Sequence, residues 1–332
     1  MFKLLLGRAG AGKTTAVLNR LCEASRERPQ VLLVPEQMSH ETERALCAAG
    51  GPPINLRAEV LSFSRLANRI FQRAGGLGEE ELEPGGRLLL MYRAVQGVAS
   101  QLKVYGRPSR RPAFLTSLLA TADELKSCRV LPELLVRAGE EAAGPEGDKL
   151  RDLGLIFGEY EALTAQTALD PRDRLTRAAD KLRACRWAEG KEVWLDGFTD
   201  FTPQQKELLR LMMSQAESLT VTLTCDHLEE DEGGAGIFSP ARRTANSLLS
   251  LARKDGVSCE VEHLVSRNTG KAEPLLHLER ALFAEAAAAP VPSQGAVELF
   301  QAASPRSEVE WTAAQILRLT REEGCRFREI GV

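Results

Sequence analysis

The chain opens with a short apolar run, Phe2 to Leu6, broken only by Lys3. A glycine-rich turn from Gly7 to Gly12 follows, then a helical pattern from Lys13 to Arg26 and a second apolar run from Gln30 to Val34. Two short apolar runs joined by one helix predict parallel strands linked by a crossover, and so an α/β sheet. A helix over Ser39 to Ala49, a third strand over Glu59 to Phe63 and a helix over Ser64 to Ala74 extend the alternation. Glycines and acids from Gly75 to Gly86 then interrupt it. From Arg87 to Arg183 apolar positions recur at helical spacing, punctuated by Pro108, Pro112, Pro132, Pro145 and Pro171, which predicts an all-helical insertion. Strand character returns at Glu192, where Val193-Trp194-Leu195 ends in Asp196. Next come a helix over Pro203 to Gln215, an alternating strand over Leu219 to Cys225, an acidic, glycine-rich loop over Glu229 to Gly236, a strand over Ser258 to Leu264 and a helix over Leu275 to Ala289. Beyond a Pro290 to Gly295 linker, a strand over Val297 to Gln301 and a helix over Glu308 to Glu323 predict one more βα unit. Ile330-Gly331-Val332 reads as the opening of another strand, as at the cut end of a longer chain. The expected organisation is an α/β domain in two parts, 1–76 and 186–290, split by a helical insertion over 77–185 and followed at 291–332 by the start of a second α/β domain.

Composition narrows the class. With 332 residues, 43% hydrophobic and 27% charged, the chain is expected to be a soluble globular protein of more than one domain. No stretch approaches the roughly 18 consecutive apolar residues of a membrane span, so neither a signal peptide nor a membrane helix is expected. The formal net charge of -3 excludes a global basic field, and any contact with nucleic acid must be local. The seven cysteines form no C-x-x-C pair, which suits reduced thiols in a cytoplasm and leaves no ligand set for zinc or an iron–sulfur cluster. His40, His227, His263 and His277 have no ligand spacing, and Trp187, Trp194 and Trp311 read most simply as core or subunit-contact anchors.

The specific chemistry lies at the first turn. Gly7-Arg8-Ala9-Gly10-Ala11-Gly12-Lys13-Thr14 matches G-x-x-x-x-G-K-[ST], with a strand before it and a helix after it. Chance would produce the pattern in about one in a hundred chains of this length, and the strand-to-helix setting lowers that further. The glycines let backbone N–H groups converge on phosphate oxygens, and the helix N-terminus adds partial positive charge. Lys13 is placed to reach β- and γ-phosphate oxygens, and Thr14 to ligate Mg²⁺, with Thr15 next in the loop's helical end. A strand ending in Asp commonly completes the metal shell, and Asp196 has that position. The next residue, where a hydrolytic enzyme places a glutamate, is Gly197; the nearest later carboxylate is Asp200. Glycine can neither accept a proton nor orient a water. If that loss limits turnover, Gly197→Glu in a full-length subunit is expected to raise it; if the rest of a second motor domain limits it, full-length protein is expected to be active with Gly197 intact.

The loop is followed in order by Val-Pro-Glu-Gln-Met-Ser at 34–39, Leu-Ser-Phe-Ser-Arg-Leu-Ala at 61–67, Leu-Asp-Gly-Phe-Thr-Asp at 195–200 and a strand ending at Asp226. In that combination the chain resembles a superfamily 1 helicase of the UvrD type, and more closely the AddB/RexB subunit of the bacterial ATP-dependent helicase/deoxyribonuclease. The resemblance implies a RecA-like P-loop domain interrupted by a helical insertion, ATP and Mg²⁺ as cofactors, and action on single- and double-stranded DNA in recombinational double-strand break repair. It also implies a heterodimer with an AddA-type subunit in the bacterial cytoplasm. It makes Gly7 to Thr14 the nucleotide loop, Lys13 and Asp196 the catalytic pair, and Ser62-Phe63-Ser64 a contact for the single strand. Asp226 falls where nucleotide is coupled to DNA, and Arg267 roughly where an arginine meets the γ-phosphate. Such helicases carry an adenine-reading glutamine segment ahead of the loop, where this sequence has six residues before Gly7. The family's nuclease and its iron–sulfur cysteines are expected beyond residue 332.

Arg65, Arg69 and Arg73 recur at i, i+4 and i+8 and form one basic helix face, while Leu66 and Ile70 take the apolar one. This stripe can track phosphates, with Phe63 available for base stacking, or it can be an ordinary solvated face above a buried Phe63. Arg107, Arg110 and Arg111 form a second basic cluster in a proline-bounded loop of the helical insertion. Three functions remain open: a nucleotide- and DNA-binding subunit with a degenerate motor, an active translocase using Asp200 as base, and a P-loop kinase for a small molecule.

Overall fold

A computed structural model of the chain describes residues 1–23, 28–106, 111–142, 144–229, 236–265, 270–282 and 289–332. The chain divides into two compact units, Met1–Arg267 and Asn268–Val332.

The first unit is built on a six-stranded sheet in which every pairing is parallel. Its strands are β1 (Phe2–Gly7), β2 (Gln30–Leu33), β3 (Ala58–Leu61), β4 (Glu192–Leu195), β5 (Ser218–Thr224) and β6 (Cys259–His263), in the order β3-β2-β4-β5-β1-β6. Helices α1 (Lys13–Glu23) and α2 (Ser39–Gly50) cover one face, where Leu5, Val17, Leu32, Leu46 and Trp194 meet. On the other face, α3 (Phe63–Ala74), α8 (Arg174–Cys185), α9 (Pro203–Gln215) and α10 (Ser239–Lys254) bury Leu4, Leu6, Val193, Leu195 and Val221. Burial on both faces explains why β1 and β2 read as continuous apolar runs rather than alternating ones. Leu6 is fully buried there, and truncating it to alanine should cost about 2–5 kcal/mol. The chain leaves β3 at Leu61 and enters α3 at Phe63, one residue before the expected start, because the Ser62 hydroxyl caps the helix by accepting the Arg65 N–H at 3.3 Å.

Between β3 and β4 lie α4 (Pro84–Gly97), α5 (Pro112–Ser127), α6 (Pro132–Glu141) and α7 (Pro145–Ala165). They enclose a separate core around Met91, Val95, Leu118, Ile156 and Tyr160. The neck of this segment is closed by a parallel bridge between Glu81 and Leu169, in which Leu82 N–H donates to Leu169 O at 2.8 Å and Leu169 N–H to Glu80 O at 3.1 Å. The last helix of the expected insertion, α8, returns to the sheet, where Ala178, Ala179 and Leu182 join the core of its second face.

In the second unit, α11 (Glu273–Ala281) and α12 (Pro305–Arg321) are the described helices, and Ser304 and Ser307 cap α12 reciprocally. The expected strand over Val297 to Gln301 is irregular, as are Ile330 to Val332. A lone strand has no ladder to join, and among the described residues of this unit none pairs with either segment. Phe300 instead stacks on Trp311 with ring centroids 4.4 Å apart.

Candidate nucleotide site

All strands being parallel, the segments that follow β1, β2, β3, β4 and β5 emerge at one end of the sheet, the end at which open α/β sheets bind ligands. The Gly7–Thr14 loop leaves β1 there. Gly7 is packed so closely that a Cβ would lie 2.9 Å from that of Ala11, and Ala11 N–H closes the turn on Arg8 O at 3.1 Å. Gly10 and Gly12 take φ of 77° and 84°, backbone that L side chains rarely adopt, and this aims the loop into the N-terminus of α1. Ala9, Gly10, Gly12 and Thr15 are exposed at the mouth.

The Lys13 ammonium folds back onto the loop, donating to Gly7 O at 2.7 Å and Arg8 O at 3.0 Å. Burial pulls its pKa below the ordinary lysine value, and the Asp196 carboxylate partly opposes the shift. Thr14 Oγ1 donates to Asp196 Oδ2 at 2.7 Å. The other carboxylate oxygen accepts from the Thr222 hydroxyl of β5, the strand between β1 and β4. Asp196 is 5% exposed, so two hydroxyls from different strand–helix units fix a buried carboxylate beside the loop. A hydroxyl and a carboxylate converging at a helix N-terminus fit a phosphate-bound Mg²⁺, which takes few protein ligands and keeps waters. Among the described residues no cluster of three or more His, Cys, Asp or Glu offers an all-protein metal cage.

Gly197 follows Asp196 with φ of 82°, and a Cβ there would lie 2.9 Å from Met38 Sδ and 3.3 Å from Pro35 Cδ. Pro35 and Met38 belong to the turn after β2. The position expected to carry a glutamate in a hydrolytic enzyme is therefore held by packing as well as by sequence. Asp200 is exposed and engaged elsewhere: it accepts from Phe201 N–H at 2.7 Å and Thr244 Oγ1 at 3.0 Å, and Lys206 lies 3.6 Å away.

Arg8 reaches from the loop to Asp226, 3.5 Å away, with its guanidinium 5.4 Å from the Phe238 ring centroid. Asp226 also accepts from Arg242 at 2.8 Å and from His227 N–H at 2.9 Å. Burial pushes the Asp226 carboxyl up, but the Arg242 hydrogen bond and its other donors outweigh that and leave it below the usual carboxylate range. The loop and the end of β5 are thus linked by charge.

The expected single-strand contacts require correction. Ser62 is buried as the α3 cap, and Phe63 is 6% exposed. The Phe63 ring is edge-on to Phe198 at 5.5 Å and to Phe201 at 6.3 Å, so it offers no free face for stacking. Leu66, Ile70 and Phe71 draw this side of α3 into the core. Ser64, Arg65 and Arg69 are exposed, with Arg65 paired to Glu43 at 2.7 Å and Arg69 paired to Glu59. Arg111 is exposed at the N-cap of α5, whereas Arg107, Arg110, Arg267 and residues 230–235 of the acidic loop lie outside the described residues. Thr222 and Arg242 are site neighbours that the sequence does not single out, and Met38 enters there only within the segment 34–39, with no role of its own. Thr222 carries a readable signal, a hydroxyl in the buried strand Leu219-Thr220-Val221-Thr222-Leu223, but Met38 and Arg242 acquire their roles only through tertiary contacts.

The family model described as ADDB, N-terminal, matches residues 4–279. The chain belongs to this family. Proteins named as the B subunit of an ATP-dependent helicase/deoxyribonuclease, from Thermoanaerobacter sp. (strain X514) and Desulforudis audaxviator, are 34% and 35% identical to it, each over 99% of this chain and 29% of the relative. One of the same name from Clostridium botulinum is 29% identical over 99% of this chain and 30% of the relative. The chain thus spans about three tenths of the length of the curated relatives it matches. Among the described residues, no helix is long and apolar enough to cross a membrane.

Proposed function

We propose that this AddB-family chain is the nucleotide- and DNA-binding N-terminal part of a B-type subunit of an ATP-dependent helicase/deoxyribonuclease, holding ATP and Mg²⁺ in a site that hydrolyses slowly. The observation that carries the reading is the 2.7 Å contact between Thr14 and Asp196, which unites the first and fourth strand–helix units beside a glycine loop. In this reading the loop amides and Lys13 bind the phosphates, Lys13 first leaving the Gly7 and Arg8 carbonyls. Thr14 and Asp196 hold Mg²⁺, which supplies charge neutralisation at the phosphates. No side chain at 197 orients water. The wider role is recombinational double-strand break repair in the bacterial cytoplasm, with an AddA-type partner supplying translocation and both single- and double-stranded DNA as ligands. The engagement of Asp200 with Thr244 and Phe201 N–H speaks against an active translocase that uses it as base, and family membership speaks against a small-molecule kinase.

Calorimetry with a non-hydrolysable ATP analogue and Mg²⁺ tests the site. Wild type should bind, and Lys13→Ala should lose a few kcal/mol as charge-assisted hydrogen bonds disappear. An absence of binding, or equal binding by the variant, contradicts the proposal, and robust DNA-stimulated turnover by this chain would contradict its slow-hydrolysis part.

A further inference from the structure

Two open clefts lie at the β3 edge of the sheet. The first, of about 780 Å³, is lined at the strands' N-terminal ends by Gln30, Arg57 and Ala58, and by Arg44 and Arg65 on the flanking helices. The second, of about 590 Å³, is lined by Arg73, Cys185, Arg186 and Trp187. Arg69 and Lys191 line both. Because the glycine loop follows the C-terminal end of β1 in an all-parallel sheet, Gln30, Arg57 and Lys191 belong to the opposite end.

Leaving aside Arg57, which donates to Cys22 O at 2.7 Å, six Lys and Arg side chains line the two clefts against the carboxylates of Glu43, Glu59 and Glu189, on a chain whose overall charge is -3. Arg65, Arg69 and Arg186 are paired with those three acids. Among the described residues, neither Arg44 nor Arg73 has an acidic partner within ion-pair distance. Lys191 is fixed by donating to Trp187 O and sits 4.7 Å from the centroid of the Trp187 ring. Burial, and then the nearby charge of Arg73, lowers its pKa. Cations gathered beyond the number of their acids repel one another, and an anion laid among them removes that cost. Their distribution over α2, α3 and the turn before β4 makes a track rather than a pocket for one small anion, and guanidinium forks match phosphate oxygens.

We propose that these joined clefts bind the phosphodiester backbone of DNA, with Arg73 and Lys191 at the centre of the contact. This rests on the DNA-binding part of the proposed function and moves its centre away from Ser62-Phe63-Ser64, to the end of the sheet opposite the nucleotide loop.

The test is fluorescence anisotropy of the 332-residue chain with labelled single- and double-stranded oligonucleotides across a salt series. Arg73→Glu/Lys191→Glu should weaken binding about tenfold or more and reduce the slope of log affinity against log salt by about 1.5, as two phosphate contacts are lost. Nucleotide binding is read separately, by calorimetry without DNA, where Lys13→Ala should weaken it, and DNA binding by anisotropy without nucleotide, so the two readings fail separately. The strand form that loses more affinity in the charge-reversal variant identifies the DNA the track carries. Cys185 gives a second readout: because Cys47 lines the first cleft, the background is Cys47→Ser, in which an oligonucleotide carrying a thiol-reactive group on a backbone phosphate should couple, and adding Cys185→Ser should lose that adduct. Unchanged DNA binding by the charge-reversal variant at wild-type melting temperature would overturn the proposal. So would polyglutamate displacing DNA at equal charge concentration with no Cys185 adduct, the result expected of an acidic protein partner.

Discussion

Met38 Sδ fills the space into which a side chain at position 197 would grow: a Cβ on Gly197 would lie 2.9 Å from it. Two turns, after β2 and after β4, are packed together at this position. Gly197 also holds φ of 82°. Glycine at 197 is therefore part of the packing of this end of the sheet, and a single substitution there meets both a steric and a backbone obstacle.

Gly197→Glu is accordingly expected to lower stability by about 1–3 kcal/mol, from the strained backbone conformation and the clash. It should not raise ATP turnover, whereas the sequence alone leads to a rise in a full-length subunit if the missing base is what limits hydrolysis. Adding Met38→Ala removes the contact but not the φ requirement, and should recover part of the stability. Thermal unfolding and steady-state turnover with DNA check both variants. Brisk hydrolysis by the single variant at wild-type melting temperature would show that the turn relaxes easily and that only the base was lacking.

The architecture was legible because both faces of the sheet are covered. Burial on two sides leaves β1, apart from Lys3, and β2, after Gln30, as apolar runs without alternation, and the glycine loop is a local pattern that needs no tertiary context. The place of Asp196, at the polar end of a buried strand, was legible for a similar reason. The role of Ser62-Phe63-Ser64 was not. A serine before a helix reads equally as a cap or a ligand contact, and an aromatic beside it as a stacking platform or a core residue. The choice is made by Phe198 and Phe201, more than 130 residues away in sequence. The strand expected over Val297 to Gln301 failed because apolar composition suits a strand only where a neighbour supplies the ladder.

If Asp196 holds Mg²⁺ as proposed, Thr222 should matter to the metal rather than to the phosphates. Its hydroxyl donates to the Asp196 oxygen that Thr14 does not use, so Thr222→Val frees the carboxylate to turn while leaving the loop untouched. The loss of one hydrogen bond to a charged group is worth about 1.5–3 kcal/mol before solvent replaces it. Affinity for the ATP analogue is therefore expected to fall about tenfold with Mg²⁺ and to change little in a chelator. Equal losses under both conditions would mean that the substitution disturbs the loop itself.

The helical segment between β3 and β4 depends on a buried charge network. The Asp170 side chain is fully buried between Arg87 at 3.2 Å and Lys126 at 3.6 Å, and Tyr160 OH donates to it at 3.0 Å. Burial, reinforced by the Asp170 charge, pushes the Tyr160 hydroxyl above its ordinary pKa and keeps it a donor. Asp170→Asn leaves two buried cations short of an anion, which should cost about 3–5 kcal/mol. Urea unfolding followed by the helical circular dichroism signal measures this. A change within about 0.5 kcal/mol would mean that Asp123 and Asp173 carry the balance alone.

Acid sensitivity should centre on Glu207 of α9. Arg210 donates to both its oxygens at 3.0 Å, Arg183 donates at 2.6 Å and Arg129 lies 3.5 Å away, and together they hold its pKa at about 2 against an ordinary 4.5, outweighing the opposing effect of burial. A carboxyl depressed in the folded state adds stability above its unfolded pKa and loses it as pH falls through the folded value. The contribution of Glu207 is thus complete at neutral pH and declines from about pH 5 toward pH 2. Because Arg183 and Arg129 are 47% and 42% exposed, water screens much of the attraction, and Glu207→Gln should cost only about 1 kcal/mol at neutral pH. The stability gap between wild type and variant, measured by denaturant unfolding at a series of pH values, should stay constant down to about pH 5 and close below it. A gap that widened in acid would place the destabilising proton elsewhere and remove Glu207 from the account.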